Sequence, residues 1–165
     1  MNTRELTLTA VFAALYAAIV IVLAPISFGP VQLRLADVLI PFSALFGIPA
    51  ILGVTLGALL GNFYWFLSPV DVILGALANL IASYIIFRYK SRLLIASIIG
   101  SVVIGVIVGG YLWLFFPPPS ILGFNLPVWL AMIISITISS LITVSFLGVG
   151  LVNILKSSNY LEYLK

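Results

Sequence analysis

The chain has neither cysteine nor histidine. Without cysteine there is no disulfide framework, no thiol nucleophile and no redox compartment to infer. Without either residue the usual zinc sites lose most of their ligands, so neither a metal nor a cofactor is expected. Charge is the next scarcity. Seven basic and four acidic side chains make up 7% of 165 residues, against 64% hydrophobic. A soluble domain carries roughly 25% charged residues to cover its core. So few charges cannot solvate a surface of this size, and the apolar residues must face lipid. A Gly-x-x-x-x-Gly-Lys-Ser/Thr phosphate loop is also missing, which excludes nucleotide hydrolysis by that route. Uphill transport would then draw on a partner or an ion gradient. The reading is an all-α polytopic membrane protein, with residues 1–165 forming one integral membrane domain in the lipid bilayer and no nucleic-acid partner.

The apolar runs define six spans. A bilayer core about 30 Å thick needs about 20 helical residues. The runs extend from about Leu6 to Ala24, Asp37 to Phe46, Ile51 to Phe66, Val70 to Phe87, Leu93 to Leu114 and Val128 to Leu155. Breaks fall at Pro25, Gly29 and Pro30, at Gly47 and Pro49, and at Pro117, Pro118 and Pro119, residues that end helices. The second run is short and predicts a helix that tilts little or does not fully cross the hydrocarbon. Arg4 ahead of Leu6–Leu23 has the look of a signal peptide, but the run exceeds the usual apolar region of about 7–15 residues. Pro25–Ile26 follows where small residues should mark cleavage, so the run is read as the first span.

Basic residues set the orientation. With six spans, Arg4, Arg88, Lys90, Arg92, Lys156 and Lys165 all fall on one face, which the positive-inside tendency assigns to the cytoplasm. Arg34 alone falls on the other. Five or seven spans would scatter these charges. The expectation is a six-transmembrane-helix bundle in the cell membrane, multi-pass, with both termini cytoplasmic. The opposite face gathers Gln32, Arg34, Asp37, Asn62, Ser68, Asp71 and Asn125, together with Tyr64, Trp65, Phe66, Trp113, Phe115, Phe116 and Trp129. That asymmetry points to a binding site open to the outside.

Ala10, Ala14 and Ala18 lie four apart and form one small-residue stripe on the first span, flanked by Ala13 and Ala17. Such stripes permit close helix approach in lipid, either to another subunit or to a neighbouring span. Gly53, Gly57 and Gly61 repeat the device in the third span, where packing within the bundle is the expected use; Asn62 follows and can face a cavity. Arg34 and Asp37 are three apart and would share a helical face as an ion pair, or orient a polar ligand. Asp71 follows Ser68-Pro69-Val70 and reads as a helix-start residue or as a second ligand carboxylate. Ionisable groups at membrane depth cost about 2.5–3.5 kcal/mol, so each is informative. Tyr64, Trp65 and Trp129 suit an interfacial belt. Trp113, Phe115 and Phe116 beside the triple proline suit either that belt or a stacking surface for a flat heterocycle.

Three segments carry a resemblance. Phe28-Gly-Pro-Val-Gln-Leu-Arg34-Leu-Ala-Asp37 resembles the first-loop signature of the queuosine-precursor transporter family, substrate-binding (S) components of energy-coupling factor transporters. The glycine-patterned third span ending in Asn62 is similar, as is Val70-Asp71-Val-Ile-Leu-Gly75-Ala-Leu-Ala78-Asn-Leu at the head of the fourth helix. The likeness covers about residues 6–90 and fades in the last two spans, which carry no acidic residue. Asp37 stands where the family usually has glutamate, keeping the carboxylate with a shorter reach. The resemblance implies a six-helix bundle that captures a vitamin-like small-molecule heterocyclic substrate from outside under loops acting as a lid. It implies docking through the first-helix stripe, here Ala10, Ala14 and Ala18, to a membrane coupling subunit that carries a pair of cytoplasmic ATPases.

Taken with the polar residues, the resemblance makes Gln32, Arg34, Asp37, Asn62, Asp71, Asn79 and Trp113 the candidate substrate-binding set. A carboxylate can accept from the ring N–H and exocyclic amine of a guanine-like edge, and an arginine can donate to its carbonyl. In a 7-deazaguanine the ring nitrogen at position seven is carbon, so an aspartate carries more of the specificity than Arg34. Three alternatives remain open on the residues alone: another vitamin, a small intramembrane enzyme using Asp37 and Asp71 as paired carboxylates, and a membrane scaffold.

Overall fold

The computed structural model describes residues 1–28, 32–117 and 126–158. Helix α1, Thr3–Val22, opens with a capping box in which the Asn2 side chain accepts from the Glu5 N–H at 2.8 Å and Glu5 accepts in return from the Asn2 N–H at 2.9 Å. A single turn, Ala24–Ser27, follows with Pro25 in its first turn, the position proline tolerates best. Next come α2 (Leu35–Phe46), α3 (Ile48–Tyr64), α4 (Pro69–Arg88), α5 (Leu93–Leu112) and α6 (Val128–Ser157). Gly47, with φ of 63°, makes the sharp turn between α2 and α3, a backbone that glycine adopts without steric cost. No strand occurs among the described residues. Four helices are long and apolar enough to cross a membrane: α1, α4, the stretch ending in α5, and α6; α2 and α3 are shorter.

Two helices depart from α geometry. The first eight residues of α2, Leu35–Phe42, wind as a 3-10 helix before Ser43–Phe46 finish it as α. At about 2.0 Å rise per 3-10 residue and 1.5 Å per α residue, α2 spans only about 22 Å. The second run is thus a short helix, as its length in the sequence indicates. In α6 the stretch Leu141–Gly148 is a π-helix, a form concentrated at functional sites. The hydroxyl of Ser101 on α5 donates to the Ser140 carbonyl at its start, at 3.1 Å.

The helices close into a ring. α1 lies along α3, α3 along α4, α4 along α5 and α5 along α6; α2 then fits between the π stretch of α6 and α1. The Gly53–Gly57–Gly61 stripe produces the tight α1–α3 seam. A Cβ on Gly57 would sit 2.6 Å from the Tyr16 Cβ, and one on Gly53 would run into Phe12. Packing within the bundle is thus the use of that stripe, as expected. Val22, Phe63, Ile73, Val106, Phe146 and Ile154 point outward, each more than half exposed. Arg34, Asp37, Asp71, Asn62, Asn79 and several serines sit inside, among an otherwise apolar core. Ionisable groups in a membrane bundle face its interior in this way.

Candidate functional site

Gln32, Arg34, Asp37, Asn62, Asp71 and Asn79 are all buried inside the ring. Asp37 stands in the first turn of α2. Its Oδ1 accepts from the Tyr16 hydroxyl at 2.5 Å, and that hydroxyl in turn accepts from Asn79 Nδ2 at 2.7 Å. One phenol thereby ties α1, α2 and α4 together at a single oxygen. Gly57 makes this possible, because only a residue without a side chain lets α1 come close enough to α3 for the Tyr16 ring to reach inward.

A second chain runs beside the first. Asp71 is the third residue of α4, and its N–H is capped by Ser68 Oγ at 3.1 Å. Ser68 is therefore the cap. The Asp71 side chain turns inward, where Oδ1 accepts from the Tyr111 hydroxyl of α5 at 2.8 Å. Asn62, just after the last glycine of the stripe, donates through Nδ2 to the Asp71 carbonyl at 3.1 Å. Gly75 gives Asn62 its place, since a Cβ there would collide with that amide nitrogen.

Arg34 does not form the ion pair with Asp37 that their spacing allows; among the described residues no carboxylate lies within 4.0 Å of it. The physical reason is local. Arg34 precedes the helix with an extended backbone (φ −82°, ψ 90°), so its side chain leaves in a different direction from that of Asp37. Its guanidinium lies over the Phe28 ring at 5.5 Å from the centroid, and Phe28 itself stacks on Trp65 at 5.8 Å. Asp37, Asp71, Tyr16 and Tyr111 all lie within electrostatic range of it. Arg34 Nη2 and Gln32 Nε2 are buried donors without an acceptor, while Asp71 Oδ2 and Asn62 Oδ1 are buried acceptors without a donor. Buried polar groups are rarely left so, and burying a charge unpaired is costly. Gln32 also holds a left-handed backbone, φ 40°, at a cost of about 1–2 kcal/mol for a residue with a Cβ.

Gln32, Arg34, Asp37, Asn79, Ile104, Val108, Ile136 and Ser140 line a cavity of about 10 Å³. That volume is room for about one water molecule. Trp113 is not drawn into this cluster. It is exposed beyond the end of α5, its indole N–H donating to the Gly110 carbonyl at 2.9 Å. Asn125, Pro118, Pro119 and Lys165 lie outside the described residues. The tyrosines were missed by sequence reasoning. A phenol at position 16, in the middle of an otherwise apolar span, was the available signal. Ala10, Ala14 and Ala18 face outward on α1, while Ala13 and Ala17 are buried against the bundle.

An apolar helical bundle with four helices long enough to span a bilayer, enclosing buried and incompletely satisfied polar groups, defines a membrane protein. The chain belongs to the QueT transporter family, whose model matches residues 6–157. A relative described as queuosine precursor transporter QueT, from Lactococcus lactis subsp. cremoris (strain MG1363), is 38% identical over 82 residues. That match covers 48% of this chain and 47% of the relative, so it spans about half the length of each. No solved structure matches the chain.

Proposed function

We propose that the protein is the substrate-capture (S) subunit of an energy-coupling factor importer and that it binds a queuosine precursor, a 7-deazaguanine, from outside the cell. The observation that carries this reading is the pairing of orphaned donors on Gln32 and Arg34 with a tyrosine-held carboxylate on Asp37, in one cavity lining with Ile104, Val108 and Ile136. A flat guanine-like base needs that combination: donors for its carbonyl, an acceptor for its ring N–H and amine, and apolar surface for its face. The cavity is far smaller than the roughly 300 Å³ of an ordinary ligand pocket. Binding therefore requires the segment carrying Gln32 and Arg34 to swing away from α4, α5 and α6, and the left-handed backbone of Gln32 is the natural place for that motion to begin.

In the same reading all six helices, α2 and α3 included, cross or enter the cell membrane, with both termini cytoplasmic. The outward Ala10–Ala14–Ala18 face docks a membrane coupling subunit that carries two cytoplasmic ATPases. The exposure of that stripe, in a bundle whose internal seams use other small residues, supports docking over internal packing. The test is ligand co-purification: protein purified from cells supplied with 7-deazaguanines is denatured and the released small molecules are identified by mass spectrometry. A stoichiometric 7-deazaguanine is expected; a different vitamin, or no small molecule at all, would overturn the substrate assignment.

A further inference from the structure

We infer that a groove at the basic corner of α4 and α5 binds an anionic phospholipid, its headgroup phosphate at Arg92 and Tyr89 and an acyl chain along Ile95 and Ile99. The inference does not depend on the substrate reading. α4 ends at Arg88 and α5 begins at Leu93, with the turn Lys90–Arg92 between them. At that corner lies a cavity of about 200 Å³ lined by Tyr89, Arg92, Ile95, Ala96 and Ile99. Residues 92, 95, 96 and 99 have the spacing of one helical face. Ala96 is buried, while Ile95 and Ile99 are about half exposed. From Arg92 to Ile99 the chain rises about 10 Å. The lining therefore passes from a charged end at the membrane surface to an apolar end within the hydrocarbon, the same order of groups that a phospholipid presents.

The charged end has unspent donors. Arg92 is exposed, and among the described residues its guanidinium has no hydrogen bond, ion pair or ring contact. The Tyr89 hydroxyl has no hydrogen-bond partner among them either. A guanidinium with five N–H donors and a neighbouring phenol match the oxygens of a phosphodiester. A second guanidinium, that of Arg88, lies over the Tyr89 ring at 5.7 Å from its centroid. Residues 88–92 carry Arg88, Lys90 and Arg92 and no acid. Among the described residues no carboxylate comes within 4.0 Å of any of the three. That uncompensated positive charge selects an anionic over a zwitterionic headgroup. A larger groove of about 410 Å³, where Val38 of α2 meets Phe146, Gly150 and Ile154 of α6, gives the contrast: no polar side chain lines it, so nothing there selects a headgroup.

The experiment is native mass spectrometry of the purified full chain in neutral detergent, titrated with phosphatidylglycerol or with phosphatidylcholine of the same acyl chains. The first phosphatidylglycerol is expected to bind roughly 5- to 100-fold more tightly, the span for one to three basic residues at a membrane surface. Arg92→Gln is expected to weaken it about 5-fold, while Arg4→Gln, at the start of α1, should leave the preference unchanged. Millimolar inorganic phosphate should not displace the lipid, because it has no chain for Ile95 and Ile99 to hold. Equal affinity for the two lipids would overturn the site. So would a wild-type preference in Arg92→Gln, equal losses from both substitutions, or displacement by phosphate, which would make it an ion site. If a protein partner covers the groove instead, Ile99→Trp would block its association and leave the lipid preference intact, and that result would also overturn the inference.

Discussion

Tyr16→Phe removes one oxygen atom from the middle of the bundle. That oxygen donates to Asp37 Oδ1 at 2.5 Å and accepts from Asn79 Nδ2 at 2.7 Å. All three side chains are buried, away from bulk water. The ring stays, and with it the seam against Gly57, so the change reads the hydroxyl alone. Stranding a buried donor or acceptor costs about 1–3 kcal/mol, more for a charged group; with one of each the variant should be less stable by roughly 2–5 kcal/mol. Asp37 also loses the contact that fixes its rotamer, and re-ordering such a side chain costs about 0.5–1.5 kcal/mol, a further loss of about 2- to 12-fold in affinity for a 7-deazaguanine. Both quantities can be read on one preparation, by equilibrium unfolding in detergent and by ligand titration. The network makes a sharper demand. Tyr16→Phe already deletes the Asn79 bond, so the double variant with Asn79→Ala should cost less than the sum of the singles by about 0.5–3 kcal/mol. Strict additivity, or a Tyr16→Phe protein with unchanged stability and affinity, would refute the network.

Three further outcomes follow from the same geometry. Ala14→Trp puts a bulky ring on the outward stripe of α1; co-purification with a coupling complex should be lost while the isolated subunit still binds ligand, and the reverse pattern would show that the stripe packs internally. Gly57→Leu drives a side chain into the Tyr16 Cβ and the Ala13 carbonyl, which a built Cβ already meets at 2.6 and 2.8 Å. Overpacking of this kind costs about 1–3 kcal/mol or more, and the displaced Tyr16 should carry ligand affinity down with stability. Because the chain has no cysteine, single cysteines report topology without background. An impermeant thiol reagent should label Trp65→Cys in intact cells and leave Lys90→Cys unlabelled until the membrane is opened; labelling at position 90 would break the assignment of the basic face to the cytoplasm.

The helices were legible because proline and glycine punctuate long apolar runs. The run expected from about Val70 is α4, Pro69–Arg88, and the fifth begins at Leu93 as read. Their internal geometry was not legible. Leu35–Phe42 and Leu141–Gly148 are apolar almost all round, and a helix without an amphipathic period does not reveal whether it winds as 3-10, α or π. The polar half of the candidate site could be read because Arg34, Asp37, Asn62, Asp71 and Asn79 are rare residue types in this chain, and each costs too much in lipid to be incidental. Its supports could not. Tyr111 lies near a helix end, where a tyrosine also suits the interfacial belt, and nothing local shows that its hydroxyl turns inward to Asp71. The Arg34–Asp37 pair failed for a related reason: the three-residue spacing argument assumes both residues are helical, and Arg34 is not.

In the proposed reading buried Asp37 recognises the donor edge of a guanine-like base, and Asp37→Asn tests that recognition directly. The substitution keeps size and burial but replaces one acceptor by a donor, leaving a mismatch against both Tyr16 and the ligand edge. In equilibrium titration with a 7-deazaguanine, folding being verified by thermal stability, the loss should be about 2–4 kcal/mol, or roughly 30- to 1000-fold in affinity. Wild-type affinity in a folded Asp37→Asn protein would contradict the account, leaving Asp37 a structural partner of Tyr16 and nothing more.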